Sequence, residues 1–159
     1  MKIKEIKKIL VPVDGSQEAV SACIWAVSIA KRTGAGVVLL HVVDMNQMSI
    51  MDRVSVSGYV PDKLKKEGKR LLSEYTSHLT DKVGIGTMLR MGDPGKVIVE
   101  EAEEQEIDLI VMGSTGQSEL VSLVMGSVSQ YVLHHTNLPV MIVKDEDSAA
   151  EGFSIRDEI

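Results

Sequence analysis

Five short apolar runs, separated by stretches with helical periodicity, constrain this chain more than any other feature. The runs fall at residues 9–13, 37–43, 87–91, 109–112 and 140–143, the third being the weakest. Most are apolar at successive positions, which suits parallel strands covered on both faces. Between them lie stripes of helical spacing. Val20, Cys23, Ile24, Val27 and Ala30 share one face, and Gly34 follows as a stop. Leu64, Gly68, Leu71, Leu72, Tyr75 and Leu79 form a second stripe, followed by Gly84. Asp93-Pro94 reads as an N-cap and first-turn proline for a third helix through about Gln105. A fourth runs from Ser127 to about His135 and is ended by Asn137 and Pro139. The resulting β-α-β-α-β-α-β-α-β order predicts an α/β fold with a doubly wound sheet. At 159 residues the chain fits one domain.

Residues 44–60 interrupt the alternation. This connection contains Met45, Met48 and Met51, read either as ordinary loop packing or as an adaptable lid. A single cysteine, Cys23, excludes an internal disulfide and any Cys-based metal cluster, and no metal site is expected. Residues 1–8 lack the apolar core of a secretory leader, and no run approaches the ~20 residues of a membrane span. The expectation is a cytoplasmic protein with no membrane partner.

The net charge is −6, with 17 Lys+Arg against 23 Asp+Glu. Nucleic acid selects basic surfaces, and stacking of single strands needs aromatics, which are only 3% here. No nucleic-acid partner is expected. The charge is also uneven. Asp145, Glu146, Asp147, Glu151, Asp157 and Glu158 face a lone Arg156 in the C-terminal stretch. The division is therefore a folded unit over 1–144 and an acidic tail over 145–159, either a solvated end or a regulatory arm.

In doubly wound sheets, ligands bind beyond the carboxyl ends of the strands, where strand order reverses. Two stretches carry chemistry there. The fourth run ends Met112-Gly113-Ser114-Thr115-Gly116, and the last helix opens with Gly126-Ser127-Val128-Ser129. Glycines allow a close backbone approach, and N–H groups at a helix start suit a phosphate. The hydroxyls of Ser127 and Ser129 can add donors. The competing reading is that these glycines only serve turns. Glu119 is the only carboxylate between Met112 and Lys144, so this stretch looks open to an anion. Gly113 is expected to keep side-chain atoms out of the phosphate path. The first run ends Pro12-Val13-Asp14-Gly15-Ser16. Asp14 either accepts hydrogen bonds from a ribose or adenine, or it joins Ser16 in capping the next helix.

These residues together resemble the universal stress protein family. The resemblance is carried by residues 9–16, by Leu39-Leu40-His41-Val42, Gly92-Asp93-Pro94, residues 108–113 and Asn137-Leu138-Pro139-Val140. Above all it is carried by the spacing Gly113-x2-Gly116-x9-Gly126-Ser127, the form associated with the ATP-binding branch. It spans about residues 5–144. The resemblance implies a single five-stranded parallel sheet in the order 3-2-1-4-5 with helices on both faces. It also implies bound ATP or AMP, with a divalent cation (Mg or Mn) held by the phosphates. Pro12, Val13 and Asp14 would flank the adenosine, and Val42 would pack on the adenine. Met112, Gly113, Ser114 and Gly116 would cover ribose and phosphates, and Gly126, Ser127, Val128 and Ser129 would hold the phosphates. Some members carry His at the place of Thr115. A homodimer is implied too, and the apolar edge at 140–143 suits two-fold pairing with its own copy.

The chain lacks a Gly-x4-Gly-Lys-[Ser/Thr] loop and an evident general base, so stress-related nucleotide binding fits it better than turnover. The alternative is a weak ATPase or adenylyl-transfer-like enzyme of the same fold. A phospho-accepting receiver fits poorly, because the first strand offers Asp14 without an acidic neighbour. The remaining polar features have structural readings. His41 is expected to hold a structural hydrogen bond, and His134-His135 to meet the helix C-terminal carbonyls. Cys23 should be a buried small hydrophobe. Trp25 is read as half exposed or as touching a partner. Lys63, Lys65, Lys66, Lys69 and Arg70 should form a solvated face, and so should Glu100, Glu101, Glu103 and Glu104.

Overall fold

The computed structural model describes residues 4–48, 59–79, 83–115 and 125–144, with side chains in the second segment described from residue 62. Among the described residues, five strands and four α-helices alternate: β1 (Lys8–Pro12), α1 (Gln17–Thr33), β2 (Gly36–Asp44), α2 (Tyr59–Leu79), β3 (Ile85–Gly92), α3 (Pro94–Glu104), β4 (Leu109–Gly113), α4 (Ser127–His135) and β5 (Val140–Val143). The sheet order is β3-β2-β1-β4-β5, and every pair is parallel. A short 3-10 turn, Met45–Gln47, follows β2. The remainder of the 44–60 connection up to Gly58 and the tail 145–159 lie outside the described residues.

The runs that read as apolar on both faces are so because two cores need them. Successive strand residues point to opposite faces. In β1, Ile9 and Val11 join Ala22, Cys23, Leu72 and Tyr75 under α1 and α2. Leu10, between them, joins Ile98, Ala102 and Val132 under α3 and α4. All three β1 residues are fully buried. Burying a Leu or Ile side chain contributes about 1.5–3 kcal/mol, so the central strand anchors both layers.

Local signals set the helix ends. The Ser16 hydroxyl accepts the Ala19 N–H at 3.2 Å and caps α1. Gly34 closes α1 in the left-handed conformation at φ 76°, its N–H on the Ala30 carbonyl. Small residues on α1 (Ala19, Ala22, Cys23, Ala26 and Ala30) are buried against the sheet. Burial pushes the Cys23 thiol well up from its ordinary value, which keeps it protonated. Asp93 caps α3 by accepting the Lys96 N–H, with Pro94 in the first turn.

One expected face is corrected. Glu100, Glu103 and Glu104 are exposed, but Glu101 is buried and paired with Arg90 of β3, whose Nε and Nη2 donate to its two carboxylate oxygens. The acidic repeat on α3 is a solvated face at three positions and an anchor to the sheet at the fourth. Trp25 is 47% exposed and Leu133 39%, the large apolar side chains most open to solvent among the described residues.

Candidate functional site

The order β3-β2-β1-β4-β5 reverses direction between β1 and β4. The chain leaves β1 to build one side of the sheet and returns at β4 to build the other. Connections diverge at such a point and leave a crevice. A cleft of about 1190 Å³ opens there, beyond the carboxyl ends of β1, β2 and β4. Pro12, Val13, Asp14, Val42, Met112, Gly113, Ser127, Val128 and Ser129 all line it. Ser114 and Gly126 stand behind the wall, where the Gly126 N–H donates to the Ser114 carbonyl at 2.7 Å. Gly116 lies outside the described residues.

The β1 corner is held by residues close to it in the sequence and by β2. The Val13 N–H donates to the Leu40 carbonyl at 2.8 Å, and the Val13 carbonyl lies 2.8 Å from His41 Nδ1. A carbonyl only accepts, so His41 carries its proton on Nδ1 and serves as a structural donor, as expected. Asp14 Oδ1 accepts the Ser16 N–H at 3.0 Å and closes an Asx turn. Ser16 caps α1, as the capping reading expects, and the half-buried Asp14 lines the cleft. Tyr75 of α2 is fully buried nearby. Its phenol is pushed up by burial first, with Cys23 and Asp14 adding to the effect.

The β4 corner is built differently. Ser114 N–H donates to the Val143 carbonyl of β5 at 3.0 Å. The buried Ser129 hydroxyl lies 3.0 Å from both the Gly113 and the Ser114 carbonyls. Its single proton is committed to the turn, which leaves its oxygen to accept. Gly126 gives α4 no side-chain cap, so the start of that helix faces the cleft without a competing oxygen from its cap residue.

Two sequence expectations need correction here. Glu18, on α1, brings a carboxylate to the stretch that looked free of acid. Its Oε2 accepts the Thr115 N–H at 2.5 Å, the Thr115 hydroxyl at 2.6 Å and the Ser114 hydroxyl at 3.2 Å. Gly113 is also required for a different reason than the one expected. A Cβ there would lie 2.8 Å from Glu18 Cβ and 3.2 Å from the Glu18 carbonyl carbon. The space a side chain would need is taken by α1.

Sequence reasoning also missed the far wall. Lys66, Glu67, Arg70, Leu71 and Glu74 of α2 line the cleft, with Arg70 Nε 3.5 Å from Glu74. The basic residues of α2 are exposed as expected, but two of them overlook the site. With Asp14 and Asp44, carboxylates outnumber cations in the lining. Among the described residues no group of three His, Cys, Asp or Glu side chains is placed to hold a metal ion.

The comparisons with known proteins agree with this architecture. The model of the universal stress protein family matches residues 5–144. The universal stress protein MJ0531 of Methanocaldococcus jannaschii is 35% identical over 139 residues, covering 87% of this chain and 82% of the relative. The solved structure of the MJ0577 protein is 31% identical with a TM-score of 0.81, covering 91% of this chain and all of the other. Two more distant structures share the fold at 21% identity: a universal stress protein in complex with cAMP (TM-score 0.58), covering 89% of this chain and 98% of the other, and one from Archaeoglobus fulgidus in complex with dAMP (TM-score 0.53), covering 87% and 98%.

Proposed function

The chain belongs to the universal stress protein family, and from that premise we propose that it binds an adenine nucleotide, ATP or AMP, as a stress-response or signalling module. The observation that carries the reading is the meeting of three distant stretches at one cleft. Residues 12–14, 112–113 and 127–129 converge at the point of sheet reversal. In this reading Pro12, Val13 and Val42 form the apolar seat for adenine, and Asp14 accepts from the sugar or base. The start of α4, where Ser127 and Val128 line the cleft and Gly126 adds no cap side chain, receives the phosphates. Gly116 completes the motif of the ATP-binding branch. A Mg or Mn ion, when present, is held chiefly by the phosphates and offsets the carboxylates of the lining. The same fold carries cAMP in one relative and dAMP in another, which is in keeping with an adenine ligand.

Mass spectrometry of small molecules released from the purified, heat-denatured protein tests the reading. ATP or AMP at near-stoichiometric yield is expected. Neither nucleotide on release, combined with no binding on titration, overturns it. Turnover assays on the same preparation separate a binder from a slow ATPase.

The reading extends to assembly and location. β5 is the sheet edge, and Val140, Met141 and Ile142 are only half buried. Two-fold pairing of β5 with its own copy would cover them. A cytoplasmic protein with the acidic tail 145–159 appended to a unit over 1–144 completes the proposal. Among the described residues, no helix is long and apolar enough to cross a membrane.

A further inference from the structure

Glu18 occupies the second position of α1, where a carboxylate ordinarily favours the helix dipole from solvent. Here it turns to the β4 corner instead. Three donors, two from Thr115 and one from Ser114, converge on its Oε2. Thr115 lines the cleft, and Glu18 stands one hydrogen bond behind it. Gly113 lets the two segments approach this closely. The arrangement has two consequences. The Thr115 N–H is engaged with Glu18 and is not offered to a ligand. A negative charge also sits just behind the wall of a site read as accepting an anion.

Resting on the nucleotide reading above, we propose that Glu18 is a specificity-determining residue that sets how strongly the cleft favours a ligand with few phosphate charges. The charge acts through space and not by contact. A unit charge several ångströms from a phosphate in a partly solvated site changes affinity by roughly three- to tenfold. The neutral adenosine moiety feels little of it. The Thr115 hydroxyl, at a position where the family resemblance admits His, is one of the three donors that hold the charge in place.

The test is equilibrium binding of adenosine, AMP and ATP to the full chain and to Glu18→Gln and Glu18→Met. Both substitutions remove the charge, and Gln keeps an acceptor for the Thr115 N–H. Whichever variant folds should bind adenosine within about twofold of the unaltered chain. It should bind ATP roughly three- to tenfold more tightly, with AMP between. Glu18→Asp, which keeps the charge, should preserve the original ATP-to-adenosine ratio within about twofold. An equal shift for all three ligands, or no gain for ATP, overturns the charge filter while leaving nucleotide binding intact. Failure of the unaltered chain to bind any of the three overturns the nucleotide reading and the filter together.

Discussion

The two corners that flank the cleft solve the same problem by different means. At the β1 exit, the turn is largely self-contained. Asp14 takes the Ser16 N–H and Ser16 takes the Ala19 N–H, within six residues of chain. At the β4 exit, the turn is held by distant parts of the molecule. Glu18 comes from 97 positions away, Ser129 from a later helix and Val143 from the neighbouring strand. A locally held turn survives the loss of one contact. A turn assembled from three other elements transmits each loss to all of them. The β4 corner is therefore where substitutions should couple packing to binding.

The largest expected effect is at Gly113. A valine there drives side-chain atoms into the backbone of α1 at Glu18 and Ala19. Overpacking of this kind costs about 1–3 kcal/mol, and the conflict with backbone puts it at the upper end. Urea unfolding should show that loss even without ligand; wild-type stability combined with lost nucleotide binding would restore the phosphate-path explanation. Glu18→Ala comes next, at about 2 kcal/mol, because it removes charge-assisted bonds to the Thr115 N–H and two hydroxyls. Faster amide exchange should then appear at the β4 corner and at the starts of α1 and α4 that meet it. Ser16→Ala at the other corner should cost about 1 kcal/mol, the ordinary value of an N-cap. A larger loss for Ser16→Ala than for Glu18→Ala in the same unfolding assay would reverse the comparison.

The smallest effect is a pH dependence at the β1 corner. Burial holds the Tyr75 phenol protonated above the pH of about 10 at which an unfolded tyrosine ionises. Below that pH its contribution to stability is fully present. It is lost as the pH rises from there toward the raised folded value. Urea midpoints measured at pH 8 and pH 10.5 should fall more in the unaltered chain than in Tyr75→Phe. Equal falls in both would mean that Tyr75 does not titrate differently in the two states.

The same contrast explains what could be read from sequence. The alternation of runs and stripes specified the sheet and its helices because each element's period is local. Ser16, Asp93-Pro94 and Gly34 marked their helix ends for the same reason. Glu101 and Glu18 were misread or missed because their partners, Arg90 and Thr115, lie on other elements. On a helix wheel each is one more acid on a polar face. Nothing in the order of residues says that a glycine at position 113 lets one of them in. The basic face of α2 was recognised, but its position over the cleft depends on how α2 docks on β2 and β3.

The most direct test of the account is an NMR titration of the labelled chain with AMP. Amides of Val13, Asp14, Val42, Met112, Gly113 and Ser127 to Ser129 should shift together with one affinity. Those at the opposite end of the strands, such as Lys8, Gly36 and Leu109, should stay in place. Absence of any shift, or shifts centred on that opposite end, would contradict a nucleotide site at the reversal of the sheet.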